Sequence, residues 1–138
     1  MLLFAPRKEM EVQSFLLKFV NNHCPHLKGL ADGPRVESRV NLPLVTMVIP
    51  VERKRAAVDR AFGAITKEFT TTGLSIILDH PRPLERVILG FRFEREMKYM
   101  LAEAKHLNPM GAGFYQLGLQ CLSVVSPKQY PGIETVCY

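Results

Sequence analysis

The fold is decided by stretches in which every second residue is apolar, and the clearest is Tyr115-Gln116-Leu117-Gly118-Leu119-Gln120-Cys121. Successive side chains of a β-strand point to opposite faces, so Tyr115, Leu117, Leu119 and Cys121 lie together on one face. The residues between them lie on the other face. We therefore expect a strand with one face turned to a core and with Cys121 buried on that face.

The same period of two recurs from residue 41 onward, with a turn signal about every ten residues, which is typical of antiparallel strands. Val87, Leu89, Phe91 and Phe93 show it again. The other predicted strands cover residues 44–51, 57–69, 73–78 and 97–107. The predicted turns cover residues 70–73 and 108–113, and a break falls at Pro81 and Pro83.

A meander of about six strands leaves unpaired sheet edges unless the sheet closes on itself. A mainly β protein built on a six-stranded antiparallel β-barrel is therefore the expected architecture. An open α+β sheet is the alternative.

An amphipathic helix is predicted over residues 8–22, because apolar residues recur there at helical spacing. These residues are Val12, Phe15, Leu16, Phe19 and Val20. The helix either covers an opening of the barrel or forms a homodimer. The predicted organisation is a helix and loop over residues 1–33, the barrel domain over 34–126 and a C-terminal tail over 127–138.

Composition places the chain among globular proteins of one domain, with 138 residues, 47% hydrophobic and 22% charged. No apolar run approaches the roughly 18 residues of a membrane-spanning helix, so no membrane insertion is expected. Residues 1–5 are too short for the apolar core of a signal peptide. Three irregularly spaced cysteines favour a reducing compartment, and the expected location is cytoplasmic.

The net charge of +5 favours an anionic partner. Six basic residues fall between residues 35 and 60, against three acidic ones, and they are Arg35, Arg39, Arg53, Lys54, Arg55 and Arg60. Single-stranded nucleic acid is not the expected partner, because the chain has no tryptophan and its aromatic residues fall mostly on predicted core faces.

Two short elements have the chemistry of an anion site. Arg35 and Arg39 lie four residues apart, and arginine binds phosphate bidentately and pairs with the edge of guanine. Glu68, Thr70 and Gly73 combine a carboxylate, a hydroxyl and a residue that permits positive φ and close backbone approach. Taken singly, the first is typical of a solvated face and the second of a hairpin turn.

Together the two elements resemble the PilZ domain, a bacterial receptor module for the second messenger cyclic di-GMP. That family has an R-x-x-x-R loop and a [D/N]-x-S-x-x-G turn; here glutamate replaces the aspartate or asparagine, and threonine the serine. Pro83-Leu84 and Tyr115-Gln116-Leu117-Gly118-Leu119 resemble two further features of the family. The resemblance covers residues 34–125 and excludes the helix.

The resemblance implies a cyclic di-GMP site in which Arg35 and Arg39 bind phosphate and guanine while Glu68, Thr70 and Gly73 line the other side. It further implies signal transduction, in which nucleotide binding changes a contact with a protein partner, and no further cofactor. The alternative is a degenerate PilZ-like barrel that binds no nucleotide and acts only through protein contacts.

Neither a metal centre nor an enzyme active site is predicted. His23-Cys24-Pro25-His26 is the one cluster that resembles metal ligands, but tetrahedral zinc commonly takes two separated pairs. His80 and His106 have no evident catalytic partner in the sequence. We expect a binding domain without catalytic activity.

Overall fold

The computed structural model of the protein describes residues 7–23 and 39–136. It contains a helix followed by eight antiparallel strands and two short 3-10 turns. The elements are α1 (Arg7–His23), β1 (Val40–Asn41), β2 (Val45–Glu52), β3 (Arg55–Ala56), a 3-10 turn (Val58–Arg60), β4 (Phe62–Phe69), β5 (Gly73–Leu78), β6 (Arg86–Phe93), β7 (Glu96–Gly111), β8 (Phe114–Val125) and a second 3-10 turn (Ile133–Thr135).

The strands form one antiparallel sheet in the order β1-β4-β5-β8-β7-β6-β2-β3, and β2 also pairs with β4. The second pairing, in which Thr46 lies opposite Ala64, joins six strands into a closed ring. The mainly β class with an N-terminal helix is confirmed. The ring has the six strands expected of the barrel, whereas an open sheet is excluded by the β2–β4 pairing.

Two predicted boundaries are wrong. The strand predicted over residues 57–69 begins only at Phe62, because Arg60 and Ala61 donate backbone hydrogen bonds within the preceding 3-10 turn. The turn predicted over residues 108–113 is shorter, because β7 continues to Gly111. Pro109 is tolerated within β7 because β6 pairs only as far as Glu103, which leaves β7 a single neighbour there.

Helix α1 packs into the core on one face of the sheet. Phe19 is 1% exposed, and its ring centroid lies 4.9 Å from that of Phe91 and 5.9 Å from that of Phe69. Val12 and Leu16 are buried in the same core. This face is therefore not available for the helix-mediated homodimer, whereas a helix that covers the ring agrees with the structure. No helix within 7–23 or 39–136 has the length and apolar character needed to cross a membrane.

A second core lies on the opposite face of the sheet. Ile49, Ile88 and Tyr99 pack there with Ile133, which is fully buried. The Tyr99 hydroxyl donates a hydrogen bond to the Ile133 carbonyl at 3.4 Å. The segment predicted as a tail therefore packs, as far as residue 136, as part of the fold.

Candidate functional site

A cleft of about 470 Å³ lies between the β4–β5 turn and the outer surface of β7 and β8. Four of the five predicted site residues line it, namely Arg39, Glu68, Thr70 and Gly73. The fifth, Arg35, lies outside the described residues. The part of its lining that comes from β7 and β8 is mostly polar and includes Lys105, His106, Asn108, Gln116 and Gln120.

The pairing of β1 with β4 brings Arg39 to Glu68. Asn41 lies opposite Glu68 in this pairing, and Arg39 directly precedes β1. Arg39 Nη1 donates to Glu68 Oε1 at 3.4 Å, with the two side chains 64% and 24% exposed. Because solvent screens an ion pair at such exposure, it contributes only ~0–1 kcal/mol. A ligand can therefore replace either partner of this ion pair at a small cost in free energy.

The Glu68 carboxylate meets a cation on each oxygen. Oε1 accepts from Arg39, and Oε2 lies 3.6 Å from Lys67 Nζ. The backbone N–H of Glu68 donates to Ser75 Oγ at 3.2 Å, and Gln116 Nε2 donates to the same oxygen at 3.1 Å. The buried Ser75 hydroxyl thus connects the turn to the β8 wall of the cleft.

The Thr70 hydroxyl shapes the turn between β4 and β5. Its oxygen accepts hydrogen bonds from the backbone N–H groups of Thr72 at 3.3 Å and Gly73 at 3.1 Å. The Thr70 N–H donates to the Gly73 carbonyl at 2.9 Å. Serine and threonine both supply this oxygen, so the departure from the family's serine keeps the turn.

Gly73 is needed because two backbones approach closely. It pairs with Gln120 of β8, and a Cβ at this position would lie 2.1 Å from the Leu119 carbonyl oxygen. The φ angle of Gly73 is not positive, so its backbone conformation does not require glycine. Of the two reasons that the sequence offered for a glycine here, close approach is the one that applies.

The described basic residues of the segment 35–60 lie in more than one place. Arg39 lies in the cleft, whereas Arg53 and Lys54 form the β2–β3 turn and border a separate groove with Arg86. That groove also contains Glu85 and Glu103, which offset much of its positive charge. Over residues 39–60, the charge of the segment therefore does not converge on one site.

Within the described ranges, no three histidine, cysteine or acidic side chains are grouped as metal ligands. The predicted cluster of residues 23–26 is described only for the backbone of His23. Cys121 is buried in the core as the alternation predicted. Its burial raises the pKa of the thiol to about 12, so the side chain stays neutral at physiological pH.

Comparison with known proteins bears on the fold. No family model matches the sequence, and no curated protein matches it. The solved structure of the Bacillus subtilis inhibitor of motility, MotI/DgrA, matches 76% of this chain with a TM-score of 0.51 and 14% sequence identity. MotI/DgrA is a PilZ-domain protein. The fold of this chain is PilZ-like.

At 14% identity the similarity concerns the fold alone, and this chain spans half the length of MotI/DgrA. The PilZ-like fold agrees with the resemblance that the motifs indicated. Cyclic di-GMP as the ligand, and the roles of the five site residues in binding it, stay predictions.

Proposed function

We propose that this chain is a receptor domain for cyclic di-GMP that works in the bacterial cytoplasm and has no catalytic activity of its own. The observation that carries the proposal is the Arg39–Glu68 ion pair, since it joins two motifs that are far apart in the sequence at one cleft. Thr70 and Gly73 line the same cleft.

The proposed binding step exchanges one set of charge-assisted hydrogen bonds for another. Arg39 leaves Glu68 and donates to a phosphate or to the O6 and N7 edge of a guanine. The freed carboxylate of Glu68 accepts hydrogen bonds from the guanine N1–H and N2–H groups. Arg35, four residues earlier, supplies a second guanidinium. The resulting change around Arg39 alters a contact with a protein partner.

The two departures from the family's motif affect the fit of the ligand differently. Glu68 is one methylene longer than aspartate, which places the carboxylate about 1.5 Å further from the backbone. Thr70 adds a methyl group and a stiffer χ1, but its oxygen is already used within the turn. Of the two departures, the longer side chain of Glu68 is therefore the one that we expect to change the fit of the ligand more.

Calorimetric titration of the full chain with cyclic di-GMP tests the proposal. We expect heat on binding for the wild type and an affinity about 10- to 100-fold lower for Arg39→Ala, because charge-assisted hydrogen bonds are lost. Arg35→Ala should weaken binding similarly. Arg60→Ala is the matched control, since Arg60 is 61% exposed and pairs with Glu52 away from the cleft.

Cyclic di-AMP provides the test of base recognition. It has the same two phosphates but lacks the guanine O6 acceptor and N2 donors, so we expect it to bind at least about tenfold more weakly. A wild type that gives neither heat nor a thermal shift with cyclic di-GMP at high concentration would overturn the receptor role.

A second candidate function is that of a protein-interaction domain without a nucleotide. It is favoured by the end of the β7–β8 hairpin, which extends beyond β6 and exposes Leu107, Met110 and Phe114 by 39%, 41% and 46%. Exposed apolar side chains of this kind are typical of contact surfaces. A nucleotide-independent interaction that Met110→Ser with Phe114→Ser abolishes would support this function. An interaction unchanged by both substitutions would count against it.

A further inference from the structure

The β7–β8 ladder is irregular where it borders the cleft. Ala104 lies opposite Leu119, but the next pair joins His106 to Gly118, so Lys105 is an extra residue with no opposite partner. This is a β-bulge, which bends the strand and changes the direction of the side chains that follow. The bulge falls within the wall of the cleft.

The bulge places two consecutive basic residues on one face. In a regular strand His106 would share the face of Ala104, which packs against the core. Because of the extra residue, His106 instead lies opposite Gly118, and both Lys105 and His106 are exposed and line the cleft. Beyond the bulge, Asn108 and Gln116 pair across the two strands and continue the same polar wall.

We propose that Lys105 is a phosphate-binding residue for the ligand of this cleft, which extends the site to a strand where no family motif lies. The inference rests on the proposed function. A cyclic dinucleotide has a phosphate on each side of its ring. Arg39 lines the cleft next to the β4–β5 turn and Lys105 lines it from β7, so the cleft offers one cation for each phosphate.

The surroundings of Lys105 permit this role. Its Nζ lies 3.4 Å from Glu103 Oε1, with the two side chains 44% and 37% exposed, so the pair is a weak one that a phosphate can displace. Glu68 is the one acidic side chain among the described residues that line the cleft, and Arg39 already pairs with it. Once a phosphate displaces the exposed Glu103 partner, Lys105 adds a positive charge to a cleft whose one described carboxylate, Glu68, already pairs with Arg39.

The same strand contains a matched control. Lys98 Nζ lies 3.3 Å from Glu96 Oε1, two residues earlier as for Lys105, and its side chain is 42% exposed. Lys98 does not line the cleft. Lys105→Ala and Lys98→Ala thus remove equivalent charges from equivalent ion pairs, one inside the cleft and one outside it.

Titrations with cyclic di-GMP at low and at high salt test the inference. We expect Lys105→Ala to weaken binding about fivefold or more at low salt, and less at high salt, because screening already reduces the lost attraction. Lys105→Arg should retain most of the affinity, and Lys98→Ala should bind like the wild type. Thermal unfolding of each variant separates a loss of charge from a loss of fold.

Two failures are distinguishable. The first is that the wild type and Lys105→Ala bind cyclic di-GMP equally well at every salt concentration. This result would overturn the role of Lys105 and leave the receptor function standing. Equal weakening by Lys98→Ala would overturn it too, because a general effect of net charge would then suffice. Wild type that binds no cyclic di-GMP would overturn both proposals.

Discussion

Gly73 illustrates how one residue serves both the strand pairing and the cleft. Replacing it by alanine would put a Cβ 2.1 Å from a backbone oxygen of β8, and backbone on both sides prevents easy relief. We expect Gly73→Ala to lower the free energy of unfolding by about 2–4 kcal/mol, measured by urea denaturation.

Gly63 provides the control for this substitution. It lies in the adjacent strand β4, and a Cβ there would meet nothing within 4 Å. Gly63→Ala should change stability by less than about 0.5 kcal/mol. Equal changes in stability at the two positions would contradict the close approach of the Gly73 and Leu119 backbones. A loss of ligand binding in Gly73→Ala must accordingly be compared with its loss of stability before a contact with the ligand is inferred.

Cys121 should be chemically inert in the folded protein. The thiolate is the reactive form, and burial raises the pKa of this thiol from 9.0 to about 12. In a chain carrying Cys24→Ser and Cys137→Ser, we expect a thiol reagent at pH 8 to label Cys121 at least ~100-fold more slowly than in the denatured chain. Equal rates would contradict the burial.

The same shift gives a dependence of stability on pH with a definite sign. Because the folded pKa lies above the unfolded one, the unfolded chain loses this proton first as pH rises. The contribution of Cys121 to stability is therefore complete below pH 9 and is lost between pH 9 and about 12. Neutral pH leaves it unaffected.

At the scale of elements, the turn of the β6–β7 hairpin contains two residues that are unfavourable in its backbone conformation. Glu94 and Arg95 both have positive φ, 52° and 72°, a region that L-residues with a Cβ adopt at a cost. Asn-Gly is the favoured pair in such a turn. Glu94→Asn with Arg95→Gly should raise the free energy of unfolding by about 1–2 kcal/mol in chemical denaturation.

A double alanine variant separates backbone strain from charge in this turn. Glu94→Ala with Arg95→Ala removes the same two charges but keeps a Cβ at both positions of positive φ. It should give none of the stabilisation. If the alanine variant is stabilised as much as the Asn-Gly variant, the strain is not the cause.

The helix shows that the position of an element can be predicted from the sequence while the surface against which it packs cannot. Its apolar stripe predicted residues 8–22, and the observed bounds are Arg7–His23. The stripe alone does not say what it packs against, since a second chain and the chain's own sheet bury the same side chains equally well. Phe69 and Phe91, distant in the sequence, decide the matter by surrounding Phe19.

At the scale of the whole molecule, the segment after β8 completes the second core. Ile133 is fully buried among residues of four strands, so Ile133→Ala should cost about 2–4 kcal/mol in unfolding free energy. Lys128→Ala in the same segment, at an exposed position, should stay within about 0.5 kcal/mol of the wild type. Similar values for the two variants would show that the segment does not contribute to the core.

Much of the candidate site could be predicted from the sequence because each of its motifs lies within a short stretch of chain. The turn at Thr70 follows from a hydroxyl and a glycine three residues apart, and the arginine pair is visible by spacing alone. The role of Lys105 could not be predicted from the sequence, because only the order of the strands in the sheet brings its face of β7 to the cleft beside the β4–β5 turn. For His106 the bulge matters as well, since alternation along β7 alone would assign it to the core face.

The sequence by itself determined the β class, the helix, the inward face of Tyr115–Cys121 and the residues of both motifs, because periodicity and turn chemistry are properties of a short stretch of chain. Only the tertiary structure decided that β2 pairs with β4 to close the ring, that β1 brings Arg39 to Glu68, and that Lys105 joins their cleft. These depend on which strands pair and in which register, and that choice is made by core contacts between residues far apart in the chain.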